Sequence, residues 1–178
     1  MRYVALLRGI NLLNSRRIKM PALEAIFTAS GAKNVRSYIQ SGNIVFTAPA
    51  SALKKIAVNV DREMNASHGF GCHLTTRTQP ELEAIIAANP FADRLCDGKT
   101  LHVVFLADMP TPEQVATLDP NRSPGDEFRV IGREVFLYLP NGMARTKLSN
   151  QWLDSRLKTT STVRNWNTVR KLAEMMAE

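Results

Sequence analysis

Three short polar runs in this chain hold the residue types that bind and polarise an anion: Arg8-Gly9-Ile10-Asn11, Gln40-Ser41-Gly42-Asn43 and Arg164-Asn165-Trp166-Asn167. Arginine offers a planar fork that matches a carboxylate or a phosphate. The side-chain amides of Asn11, Gln40, Asn43 and Asn167 both donate and accept. Gly9 and Gly42 let backbone N–H groups approach a ligand closely. Each run also has a structural use. Ser41-Gly42 suits a tight hairpin turn, and Arg8 at a strand end can carry its charge from an apolar strand into water. Asn165 is a good helix N-cap. Trp166 shares one helical face with Val169, Leu172, Ala173 and Met176, which makes it a core anchor rather than a stacking platform. A cation at a helix N-terminus opposes the dipole unless an anion sits there. That reading applies to Arg164, and to Lys147 with Arg145 nearby and Thr146 as a possible cap. The expected ligand-binding set is Arg8, Asn11, Lys19, Gln40, Ser41, Asn43, Lys147, Arg164 and Asn167, with no catalytic role assigned.

The charge pattern supports an anionic ligand. Residues 1–60 carry nine basic side chains and one acid, Glu24; residues 61–139 carry seven and twelve; residues 140–178 carry seven and three. The net +7 therefore comes from the two ends, which hold all three runs. The expected partner is an anionic small molecule or a nucleic acid. No apolar run approaches a membrane span, so no membrane partner is expected, and the short stretch Tyr3–Leu7, closed by Arg8, is not a secretory signal. His68, His73 and His102 have no metal-ligand spacing, and there is no phosphate-loop lysine motif or dinucleotide glycine fingerprint. No metal and no cofactor are expected. Cys72 and Cys96 match no zinc or redox spacing and read as buried thiols in a reducing cytoplasm. Oligomeric state is left open.

Positioning these runs falls to a β-α-β-β-α-β order. A strand over Arg2–Arg8 is followed by a polar loop and a helix over Met20–Ser30, with Pro21 in its first turn and Gly31 past its end. Asn34–Ile39 and Asn43–Thr47 form a hairpin about Ser41-Gly42. Ala52–Asn65 is an amphipathic helix with Leu53, Ile56, Ala57, Val60 and Met64 in a stripe, and Phe70–Arg77 returns as a strand. Thr78-Gln79-Pro80-Glu81 is a capping box that opens a helix to about Ala88. The pattern then begins again: a strand over Leu101–Ala107, a second capping box at Thr111–Gln114, a hairpin of Phe128–Ile131 and Glu134–Leu139, and helices over Lys147–Leu157 and Trp166–Met176. The expected fold is α+β with two ferredoxin-like (βαββα-type) halves, residues 1–77 and 100–178, bridged by a helix and loop over 78–99. In this topology the first two strands are parallel. The loops after Arg8 and Ile39 then meet at one sheet edge.

The motifs Tyr3-Val4-Ala5-Leu6-Leu7-Arg8-Gly9-Ile10-Asn11, Lys19-Met20, Tyr38-Ile39-Gln40-Ser41-Gly42-Asn43, Thr146-Lys147-Leu148 and Thr162-Val163-Arg164-Asn165-Trp166-Asn167-Thr168-Val169 together resemble those of the bacterial family called domain of unknown function 1697. The resemblance runs end to end. It implies an α+β fold of two ferredoxin-like halves, and no biochemical activity. Leu12-Leu13-Asn14 stands here where the family usually has Val-Gly-Gly, which weakens a backbone phosphate cradle in that loop. Thr146 replaces a common serine and keeps the hydroxyl.

The expected function is binding of a phosphate-bearing ligand or nucleic acid by a cytoplasmic protein, at a site built from the Arg8–Asn11 and Gln40–Asn43 loops. The alternatives are a small enzyme on an anionic substrate, with its reaction class open, and a protein-interaction module. Against sheet-face RNA binding, the hairpin lacks the aromatic signature such domains use.

Overall fold

The computed structural model describes residues 1–12, 15–94 and 98–178. Leu13 and Asn14 of the loop after the first strand, and Cys96 and Asp97 of the loop around Gly98, lie outside the described residues. The chain divides into two compact units: Met1–Leu82 with Leu172–Glu178, and Glu83–Lys171.

In the first unit, β1 (Arg2–Leu7), α1 (Met20–Ala29), β2 (Lys33–Tyr38), β3 (Asn43–Thr47), α2 (Leu53–His68) and β4 (Leu74–Thr78) follow in order, and α3 (Gln79–Ala87) begins at its end. The strands form a sheet of order β2-β3-β1-β4. β1 is antiparallel to β3 and β3 to β2, so β1 and β2 are parallel and end at the same edge. Alternation along β1 sends Tyr3, Ala5 and Leu7 into a core with Leu23, Ile26 and Phe27 of α1 and Ile56, Val60 and Met64 of α2. Both helices therefore cover one face of the sheet. Phe46 on β3 anchors that layer, with its ring 5.6 Å from Phe27 and 5.7 Å from Tyr3. Val4 and Leu6 point the other way and are also buried, as a strand apolar at every position requires.

The second unit repeats the order: β5 (Leu101–Leu106), α4 (Pro112–Ala116), β6 (Glu127–Ile131), β7 (Glu134–Tyr138), α5 (Asn150–Leu157) and β8 (Ser161–Asn165) follow in turn, and α6 (Trp166–Ala177) begins at its end. Its sheet order is β6-β7-β5-β8. The register repeats as well. Val4 is flanked by Val45 and Arg77, and Val103 by Phe136 and Arg164. Each fourth strand carries a buried arginine, Arg77 or Arg164, as its last residue but one and runs straight into a capped helix. Glu81 N donates to Thr78 Oγ1 at the start of α3, and Thr168 N donates to Asn165 Oδ1 at the start of α6. The fold is thus mixed α+β with two similar ferredoxin-like halves.

Two local expectations are corrected. β8 was not anticipated: Ser161, Thr162, Arg164 and Asn165 are polar and lead into a helix without a loop. Pairing with β5 makes the strand, from Leu106↔Ser161 to His102↔Asn165. Helix α5 does not start at Lys147. Its N-cap is Ser149, whose Oγ accepts from Trp152 N at 3.2 Å. Upstream, Thr146 Oγ1 accepts from Leu148 N, and Lys147 N donates to Ser123 Oγ. These side-chain bonds hold the segment out of the helix, so Lys147 carries no helix N-terminus.

Candidate functional site

Three connections meet where β1 and β2 end. Leu7 N donates to Gly42 O at 2.8 Å and Arg8 N to His73 O at 3.0 Å, which ties the β2–β3 turn and the α2–β4 connection to the end of β1. Asn11 is the joint. Its Nδ2 donates to Ile18 O at 3.0 Å and to Gln40 O at 2.8 Å, and its Oδ1 accepts from Ile18 N at 2.8 Å. The side-chain amide is thereby committed to folding the loop on itself and stitching it to a turn 29 residues away. Asn11 takes a left-handed backbone, φ 52, which asparagine tolerates better than most residues. Gly42 is required by space: a Cβ there would lie 2.8 Å from Ile10 Cδ1 and 2.9 Å from Leu7 Cβ. Asn43 is buried and closes the turn by donating to Tyr38 O and Ser41 Oγ. Arg16 lays its guanidinium 5.3 Å over the Phe70 ring and donates to Gly71 O, anchoring the loop to the α2–β4 connection.

Beside this joint opens a cleft of about 620 Å³. Asn11, Arg17, Ile18 and Lys19 line it from the loop, Ala22 from α1, Gln40 from the turn and His68 from the end of α2. No carboxylate stands among these described lining residues. Lys19 is the N-cap residue of α1, extended at φ −72 and ψ 140, with no side-chain cap and no acid in the first turn. Pro21 lacks an N–H, and the first helical bond runs from Leu23 N to Lys19 O. The Met20 and Ala22 amides therefore have no internal acceptor. The positive end of the α1 dipole opens at the cleft among the cations Arg17 and Lys19. His68 stands at the last turn of α2, which Gly69 ends in a left-handed cap at φ 75. The His68 ring meets Phe70 edge-on at 6.3 Å, and its Nδ1 is enclosed without a hydrogen-bond partner.

Of the expected set, Asn11, Lys19 and Gln40 come together on the cleft wall. Arg8 is half-buried at the end of β1 and is not among the lining residues. Ser41 and Asn43 form the turn behind it. Lys147, Arg164 and Asn167 belong to the second unit. There Arg164 is buried, donating to Thr162 Oγ1 and Val163 O, and burial pushes its guanidinium down to about 10. Asn167 is exposed and packs close over Gly98, where a Cβ would meet its side-chain oxygen. Trp166 is 3% exposed, as expected of a core anchor. Arg17, Ile18, Ala22 and His68 were not singled out as site residues. A signal for His68 lay in the order of elements: β3 leaves the edge where β2 ends, so α2 must run back and finish there. No group of three or more His, Cys, Asp or Glu that could hold a metal occurs among the described residues. No described helix is long and apolar enough to cross a membrane.

The family model described as "Protein of unknown function (DUF1697)" matches residues 1–136. The chain is also similar to the conserved bacterial protein SP0830 from Streptococcus pneumoniae, with a TM-score of 0.72 and 24% identity over 99% of this chain and 98% of that one. That likeness speaks for the fold. None of the curated proteins matches.

Proposed function

The chain belongs to the DUF1697 family, whose description names no activity, and we propose from the cleft beside Asn11 that this member binds a small phosphate-bearing anion there. The observation that carries the reading is a concavity lined by Arg17 and Lys19, at an uncapped helix N-terminus, with no carboxylate among its described lining residues. The first-turn amides of Met20 and Ala22, which have no intrahelical acceptor, the helix dipole and the two cations all favour negative charge at one point. The volume of about 620 Å³ suits a small molecule. It favours a compact ligand over a nucleic-acid strand, which would call for a long basic groove with stacking aromatics. Gln40 supplies the donor and acceptor that would orient the ligand.

Inorganic phosphate is the probe. It is expected to raise the melting temperature with a saturable concentration dependence. Lys19→Gln should weaken the response by about tenfold or more, as loss of a charge-assisted hydrogen bond does, while leaving the phosphate-free melt close to wild type. A steep dependence of affinity on salt would instead mark a polyanion as the ligand. The absence of any saturable response overturns the reading.

A further inference from the structure

Among the described residues that line the cleft, His68 is the one of a type that changes charge near neutral pH. The other two charged lining residues, Arg17 and Lys19, are of types that stay cationic there. The surroundings of His68 do not fix its charge. Its Nδ1 is enclosed without a hydrogen-bond partner. One turn back on its own helix stand Met64 and Asn65, neither of which titrates. The α2–β4 connection brings the edge of Phe70, whose ring also lies 5.3 Å under the Arg16 guanidinium, and then the exposed His73. From α1 comes Ala22. The acids of the two helices are hydrogen-bonded elsewhere: Glu24 accepts from Ser37 N at 2.7 Å, Asp61 from Cys72 N at 2.8 Å and Glu63 from Ser67 Oγ at 2.7 Å. With a neutral imidazole the described wall holds two cations, and with an imidazolium it holds three.

We propose that His68 makes the cleft a pH-dependent anion site: its imidazolium is the third cation of the wall, so the site captures a divalent anion on acidification and releases it as the pH rises. This inference rests on the anion reading given above. Protonation adds one positive charge to the wall, and no carboxylate among the described lining residues offsets it. A sphere of about 620 Å³ has a radius of about 5 Å. Over that distance a unit charge and a dianion attract by about tenfold in affinity even at the dielectric of water. The coupling acts through space and needs no direct bond from the imidazole to the anion. It is also reciprocal: the bound anion holds the proton on His68, so binding takes up protons from solution. The ligand class is a dianion, because a monoanion feels only half of the added attraction.

Calorimetric titration of the full chain with sulfate at low ionic strength tests this. Sulfate is the probe because phosphate changes its own charge near neutral pH. The wild type is expected to bind sulfate about fivefold to tenfold more tightly at about pH 5.5 than at about pH 8. Near neutral pH the heat of binding should vary with the ionisation heat of the buffer, which reports the proton uptake. His68→Gln should bring the two affinities within about twofold of each other and abolish the buffer dependence. His68→Lys, which carries a positive charge at both pH values, should hold the tighter affinity at both. His73→Gln should keep the wild-type ratio. Sulfate binding of equal affinity at both pH values, or a full pH dependence retained in His68→Gln, overturns the role of His68 and leaves the anion cleft standing. No saturable sulfate binding at either pH overturns the anion reading, and this inference with it.

Discussion

At the residue scale, the polar runs divide into side chains that build the site and side chains that face it. Asn11 builds. Three side-chain bonds and a left-handed backbone depend on it, and Asn11→Ala is expected to cost about 2–4 kcal/mol in denaturant melts, at about 1 kcal/mol per bond plus the exposure of their partners. Gly42→Ala should cost about 2 kcal/mol or more, since its φ of 79 disfavours a side chain and the new Cβ would press on Ile10 and Leu7. Cys72 is the residue whose chemistry the fold suppresses. Burial, with the Asp61 carboxylate beside it, pushes its thiol up to about 12 from 9.0. In a Cys96→Ser background, Cys72 should resist a thiol reagent until the protein is denatured. Its folded pKa is raised, so the stability it contributes as a thiol is complete below pH 9.0 and is lost as pH rises toward about 12. Cys72→Ala should remove that alkaline decline from the melting curve.

At the element scale, the sequence was most legible where pattern and capping agree. The α2 stripe and the capping boxes at Thr78 and Thr111 fall where read, the latter with Thr111 Oγ1 and Gln114 bonded reciprocally. β8 escaped notice because its residues are polar and its stability comes from pairing with β5, which no local signal records. Arg164 was read at a helix start, where a cation calls for an anion. It belongs instead to that buried strand, so its charge is held by the fold. The start of α5 was misplaced by one turn because both Thr146 and Ser149 can cap. Ser149→Ala is therefore expected to cost about 1 kcal/mol, and Lys147→Ala to stay within about 0.5 kcal/mol of wild type. Denaturant melts of the two variants give the comparison. Equal losses would return Lys147 to the helix.

At the scale of the whole molecule, the repeat explains how the site became partly legible without a motif for its ligand. Both units carry the same strand order and the same register around Val4 and Val103, yet their loops differ. The first unit has a helix α1 of 10 residues with an uncapped, acid-free N-terminus, while α4 has 5 residues and is closed by a capping box. Topology alone brought the Asn11 loop to the Gln40 turn. What the sequence could not reveal was which polar groups the fold would consume: Asn11 and Asn43 are spent internally, whereas Lys19 and Gln40 stand on the cleft wall. The central claim is that this wall receives an anion, and amide chemical shifts during a phosphate titration test it most directly. The account expects saturable shifts at Met20, Ala22, Gln40 and His68, all reporting one dissociation constant. Shifts scattered over surface lysines such as Lys54 and Lys55, rising linearly with phosphate and sparing the first turn of α1, would contradict it.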